Sequence, residues 1–185
     1  MLNMQGIRAI AFDADDTLWE LQNHFEAVEH EYCRLLAPWG CSDEVSAALF
    51  ATETANMADM GYGCKAFTIS LVENAVRVSH GAVTGDIIGR IVELGKSLLH
   101  LDATPLEGVE ETLRYLHDQT DAHGARRYRH GVGANLQRRG YVAQIGAYAV
   151  HVPFRTNWAH EKTEEYEHER LWRVDSLKEM LSFEF

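Results

Sequence analysis

The chain has 185 residues, 46% of them hydrophobic, enough for one good core with a smaller satellite domain beside it. Lys and Arg number 17 against 28 Asp and Glu, and the formal net charge of −11 disfavours nonspecific nucleic-acid binding. No stretch approaches the roughly 20 apolar residues needed to span a bilayer, and the start lacks the basic and apolar regions of a signal peptide. Neither a membrane nor a nucleic-acid partner is expected, and the cytoplasm is the expected location. Cys33, Cys41 and Cys64 form an odd set without a C-x-x-C pair, which argues against a disulfide framework and against a zinc ribbon.

The first element is an apolar run, Ile7 to Phe12, whose β-branched and aromatic residues suit a strand covered on both faces. It ends abruptly in Asp13-Ala14-Asp15-Asp16-Thr17-Leu18-Trp19. Carboxylates crowded at the end of a strand repel one another, and the repulsion is relieved by a cation or a shifted pKa. The cluster therefore reads as a divalent metal site with a nucleophile, and magnesium suits its hard oxygen ligands. The plainer alternative is a surface loop in which Asp16 or Thr17 caps a following helix.

From Glu20 to about Leu101 the apolar spacing is helical, with a single proline, Pro38. Phe25, Val28, Tyr32, Leu35 and Leu36 mark one helix, and Ile69, Val72, Ala75 and Val76 a second. Ile87, Ile88, Ile91, Val92, Leu94 and Leu98 mark a third, with Gly61-Tyr62-Gly63 and Gly81 to Gly85 as turns. Thr104-Pro105-Leu106-Glu107-Gly108-Val109 then opens a helix through Leu113 and Leu116, with the proline near its first turn. Gln144 to Pro153 reads as a late strand. Glu161 to Arg170 is a charged, solvated run, and Leu171, Trp172, Val174, Leu177 and Leu181 predict a short strand and a terminal helix.

An apolar strand followed by Asp13-x-Asp15-x-Thr17 resembles the first motif of the haloacid dehalogenase superfamily. The resemblance implies an α/β fold: a Rossmann-like core of residues 1–19 and 102–185, with an incomplete parallel sheet, and an inserted α-helical cap of residues 20–101. It implies a hydrolase of the phosphatase type, in which Asp13 attacks phosphorus to form an aspartyl-phosphate and Asp15 serves as general acid and base. Mg2+ is the implied cofactor, held by the Asp13 carboxylate and the Asp15 carbonyl, while Thr17 braces the loop through its hydroxyl. The substrate implied is a small phosphorylated metabolite, because the second aspartate distinguishes phosphatases from dehalogenases, and the cap would select the leaving group.

The family's remaining motifs find no match. A serine or threonine after the second strand, a downstream lysine and a late acidic motif are expected. Yet there is no Asp or Glu between Ala122 and His160, no Lys between Ser97 and Glu161, and no Ser between Leu98 and Asp175. The Arg- and Gly-rich segment 122–143 reads instead as an internal deletion or a frameshifted stretch. Losing one such electrostatic group costs roughly a hundredfold in rate, so the alternative is a noncatalytic remnant or a phosphate- or metal-binding protein that retains the cap. Glu161, Lys162 and Glu164 are the candidate substitutes. Gly131-x-Gly133 lacks the third glycine of a dinucleotide fingerprint, and His160-Glu161 lacks the second histidine of a zinc-protease helix. The ten histidines show no ligand spacing, and Arg126 to Arg139, which could pair with phosphate or RNA, read more simply as a solvated loop.

Overall fold

A computed structural model describes residues 10, 12–122, 149–152 and 169–182 of the chain. Most of the predicted Ile7–Phe12 strand lies outside the described residues, as do positions 123–148, with Arg126 to Arg139, and positions 153–168, with Glu161, Lys162 and Glu164. The chain divides into two compact units, one formed by Met1–Leu21 with Ala103–Phe185 and the other by Gln22–Asp102.

The second unit is helical throughout: α1 (Gln22–Leu36), α2 (Ser42–Met60), α3 (Cys64–Val78) and α4 (Gly85–Ser97), closed by a 3₁₀ turn at Leu98–His100. Its core joins Val28, Tyr32 and Leu36 of α1 to Val45 and Leu49 of α2, Phe67, Leu71 and Ala75 of α3, and Ile91 of α4. Gly61 and Gly81 take φ of 65° and 80° at the turns after α2 and α3, where a residue with a Cβ would be strained.

The face of α3 differs from the one its apolar spacing predicts. Ile69 and Val76 are 50% and 46% exposed, whereas Ser70 and Asn74 are buried at 1% and 0%. The reason is a polar network that needs the core side of the helix. Asn74 Nδ2 donates to Tyr32 Oη (2.9 Å) and to the Val45 carbonyl (3.3 Å), and the Tyr32 hydroxyl donates to the Leu71 carbonyl at 3.0 Å. Asn74 Oδ1 accepts from Thr52 Oγ1 (3.5 Å) and Arg77 Nη2 (3.4 Å), and Arg77 Nη2 also bonds Thr52 and, at 2.8 Å, the Ala48 carbonyl. A buried amide with all its capacity filled costs little, and it locks three helices in one register. No periodic apolar stripe marks α2, whose buried positions are only Val45, Leu49 and Thr52.

In the first unit, α5 (Val109–Ala122) and a 3₁₀ helix at Leu177–Ser182 share an apolar cluster with two short strands, β1 (Ala149–His151) and β2 (Leu171–Arg173). The strands pair in parallel, Ala149 opposite Leu171 and His151 opposite Arg173. Val109, Leu116, Val174, Leu177 and Met180 are buried in the cluster, and Ile10, Phe12, Val150, Val152 and Trp172 pack against it. The helix begins at Val109, later than Pro105. Gly108, at φ 79°, makes the turn into it, and Pro105 lies in a β-bridge upstream.

Two outcomes are expected from the helical unit. A Cβ at Gly95 of α4 would overlap the Thr68 side chain of α3, so Gly95→Ala should lower stability by about 1–2 kcal/mol in urea unfolding despite alanine's better helix propensity, with Thr68→Ala relieving the loss only in part because the Thr68 Cβ itself would lie 2.7 Å away. Glu53 of α2 is pushed up to about 7, first by burial and then by the charge of Glu29. A carboxyl with a raised pKa holds its proton longer in the folded than in the unfolded chain. Its stabilising share is therefore full below the unfolded value of 4.5 and is lost as pH rises towards about 7. The urea midpoint should fall between pH 5 and pH 8, and Glu53→Gln should flatten that decline.

Candidate active site

The acidic segment folds back on a single carbonyl. Ala14 O accepts the N–H groups of Leu18 (2.7 Å), Thr17 (3.2 Å) and Trp19 (3.3 Å), and the Asp16 N–H donates to Trp19 O at 2.8 Å. Such a turn requires a left-handed residue, and Asp16 takes φ 55°, a conformation that aspartate tolerates better than most side chains. Its carboxylate accepts the Leu21 N–H at 2.9 Å, one residue before α1, so Asp16 braces the loop. Leu18, 6% exposed, fastens the turn into the apolar cluster.

A second chain segment fixes the far side of the turn. Glu20 N–H donates to Thr104 O and Leu106 N–H to Leu18 O, both at 3.0 Å, with Trp19 opposite Pro105 in antiparallel pairing. The ladder bonds fall on the neighbours of Pro105, which lacks an N–H to give.

Within this frame the three residues singled out from sequence stand on one turn. Thr17 Oγ1 donates to Asp13 Oδ2 at 3.0 Å, and Trp19 Nε1 donates to Asp15 Oδ1 at 3.0 Å. Each carboxylate thus has one oxygen held and one without a hydrogen bond among the described residues. Although Asp15 is exposed as a residue, protein packed about its carboxyl raises its pKa. The Trp19 bond opposes that rise, and the charges of Asp13 and Asp16 reinforce it, so the acids are close enough to interact. Trp19 carried no site signal in the sequence beyond its apolar character. Its polar contact depends on the turn, and an indole four residues from a carboxylate has no spacing that announces it.

Among the described residues no group of three His, Cys, Asp or Glu side chains gathers. Mg2+ is commonly held through one or two carboxylates together with substrate phosphate and water. The Asp13 carboxylate, one oxygen of which has no hydrogen bond among the described residues, fits that donor chemistry.

No protein-family model matches the sequence, and no curated protein matches it. The structure is similar to the crystal structure of a haloacid dehalogenase-like family hydrolase from Xanthomonas campestris, with a TM-score of 0.72 and 20% sequence identity over 97% of this chain and 92% of that one. The chain therefore has a haloacid dehalogenase-like α/β fold. Among the described residues no helix is long and apolar enough to cross a membrane.

The brace is testable independently of any activity. Asp16→Ala loses the Leu21 bond while keeping a Cβ at positive φ, and it should cost about 1–2 kcal/mol in chemical denaturation. Asp16→Asn, which keeps an acceptor oxygen and tolerates the same φ, should cost less than half as much.

Proposed function

We propose that this protein is a Mg2+-dependent hydrolase of the haloacid dehalogenase superfamily that cleaves small phosphate monoesters through an aspartyl-phosphate on Asp13. The observation that carries the reading is the pairing of Asp13 and Asp15 on one turn, each carboxylate held at one oxygen by a different donor. The Thr17 hydroxyl on Asp13 Oδ2 leaves Oδ1 as the attacking oxygen. That oxygen forms a bond to phosphorus as the ester P–O bond breaks, and the departing alkoxide takes a proton from Asp15. Water then gives a proton to the Asp15 carboxylate and attacks phosphorus, the Asp13–phosphorus bond breaks, and inorganic phosphate leaves with both aspartates restored.

A raised Asp15 pKa suits a group that must hold a proton for the leaving oxygen. Asp13 and the Asp15 carbonyl are the groups that would hold Mg2+, which when bound offsets the charge of the phosphoryl group. The inserted helical unit, residues 22–102, is proposed as the cap that selects the leaving group, with the cytoplasm as the site of action. The fold shared with the Xanthomonas hydrolase supports this reading.

Hydrolysis of an aryl phosphate should require added Mg2+, stop with a chelator, and fall to the buffer rate in Asp13→Asn. Asp15→Asn should retain phosphoryl transfer to Asp13 only with the most activated leaving groups. A folded wild-type protein without turnover would leave the noncatalytic phosphate- or metal-binding reading in its place.

A further inference from the structure

We propose that Trp19 is a positioning residue for Asp15, its indole N–H selecting which carboxyl oxygen carries the proton delivered to the leaving group. The inference rests on the acid and base role proposed for Asp15 above. An indole nitrogen can only donate a hydrogen bond. With Trp19 Nε1 on Asp15 Oδ1 at 3.0 Å, that oxygen acts as acceptor in both states of the carboxyl, and the proton is confined to Oδ2. Without the indole the two oxygens are equivalent, and rotation of the carboxyl presents the proton in the wrong direction for part of the time. Proton transfer depends on heavy-atom geometry of about 3 Å, so misdirection lowers the rate of the chemical step and leaves binding of the ester unchanged.

Trp19 is built to hold this position. Its ring packs on the apolar cluster of Leu18, Val109 and Leu116. Its carbonyl accepts the Asp16 N–H at 2.8 Å, its N–H reaches the Ala14 carbonyl at 3.3 Å, and its backbone lies opposite Pro105. A side chain wanted only for apolar contact would need none of the indole polarity. Here the N–H points out of the cluster to a carboxylate two residues from the nucleophile.

The test is a double-mutant cycle on aryl phosphate hydrolysis with Mg2+, using Trp19→Phe, which keeps an aromatic body and removes the donor. Trp19→Phe should lower kcat about tenfold, a part of the 10²–10⁴ that a positioned acid contributes, with KM unchanged. In the Asp15→Asn background, where only transfer from an activated ester to Asp13 proceeds, the same substitution should leave the rate of the single-turnover burst unchanged. The indole Nε1 proton of Trp19 in a ¹H–¹⁵N spectrum should shift upfield in Asp15→Ala. A second variant with a benzothiophene side chain at position 19, which keeps the full shape of tryptophan, should behave as Trp19→Phe does.

Equal kcat in wild type and in both position-19 variants overturns the inference, as does an equal loss in the presence and absence of the Asp15 carboxylate. Failure of the functional reading is seen separately. It would appear as absent turnover in the wild type, or as turnover indifferent to Asp13→Asn, and either result removes the role of Trp19 together with that of Asp15.

Discussion

Three N–H groups converge on the carbonyl of Ala14, and the candidate site hangs from that convergence. A backbone oxygen that accepts from residues three, four and five positions ahead forces the chain into one tight turn between Asp13 and Trp19. The turn has two consequences for the side chains. It brings Thr17 back over Asp13 and Trp19 back over Asp15, so that two carboxylates four residues from their donors each gain a hydrogen bond. It also forces a positive φ on Asp16, whose own carboxylate relieves the cost by bonding Leu21. Of the three aspartates beside Ala14, Asp13 and Asp15 each keep one oxygen without a hydrogen bond among the described residues, and Asp16 is structural.

The helical unit solves a different problem. Its helices bury Asn74 and Thr52 among leucines, an expensive arrangement unless every donor and acceptor is met. The network through Tyr32, Val45 and Arg77 meets them, and it ties α1, α2 and α3 by contacts that have only one satisfactory geometry. Apolar packing alone tolerates sliding and rotation of helices, whereas a shift of one residue here would orphan several buried polar atoms at once. A unit whose proposed task is to discriminate leaving groups has use for such a single geometry.

These differences explain how much could be read from the sequence. The Asp13-x-Asp15-x-Thr17 spacing is local, and the haloacid dehalogenase-like fold it suggested is the fold that the structural likeness shows. α1 and α4 were legible because Val28, Tyr32 and Leu36, or Ile87, Ile91 and Leu94, recur at helical intervals. α2 was not, because Phe50 and Met60 face solvent while Thr52 faces the core. The face of α3 departs from its apolar spacing for the same reason: apolarity is not the only route to burial, and Asn74 is buried by satisfied hydrogen bonds instead. Pro105 looked like the start of a helix, since a first turn suits its φ, but an edge position in a β-bridge suits it equally. The role of Trp19 was invisible because hydrogen-bond partners made by a turn have no sequence period.

The pairing of Leu18–Glu20 with Thr104–Leu106 links these features. Closing an excursion of about 80 residues, Gln22 to Asp102, carries a chain-entropy cost of about 4 kcal/mol if the intervening chain is flexible. Two backbone hydrogen bonds, at about 1 kcal/mol each, do not offset it. The burial of Leu18 and the packing of Leu106 in the apolar cluster add to them, and the folded helical unit removes most of the flexibility on which the cost depends. Trp19 lies in the middle of this pairing, so the bonds that close the excursion also fix the indole that holds Asp15. Loosening the Pro105 segment would therefore act first on the direction of the Asp15 carboxyl and only secondarily on Asp13, whose Thr17 bond is made inside the turn itself.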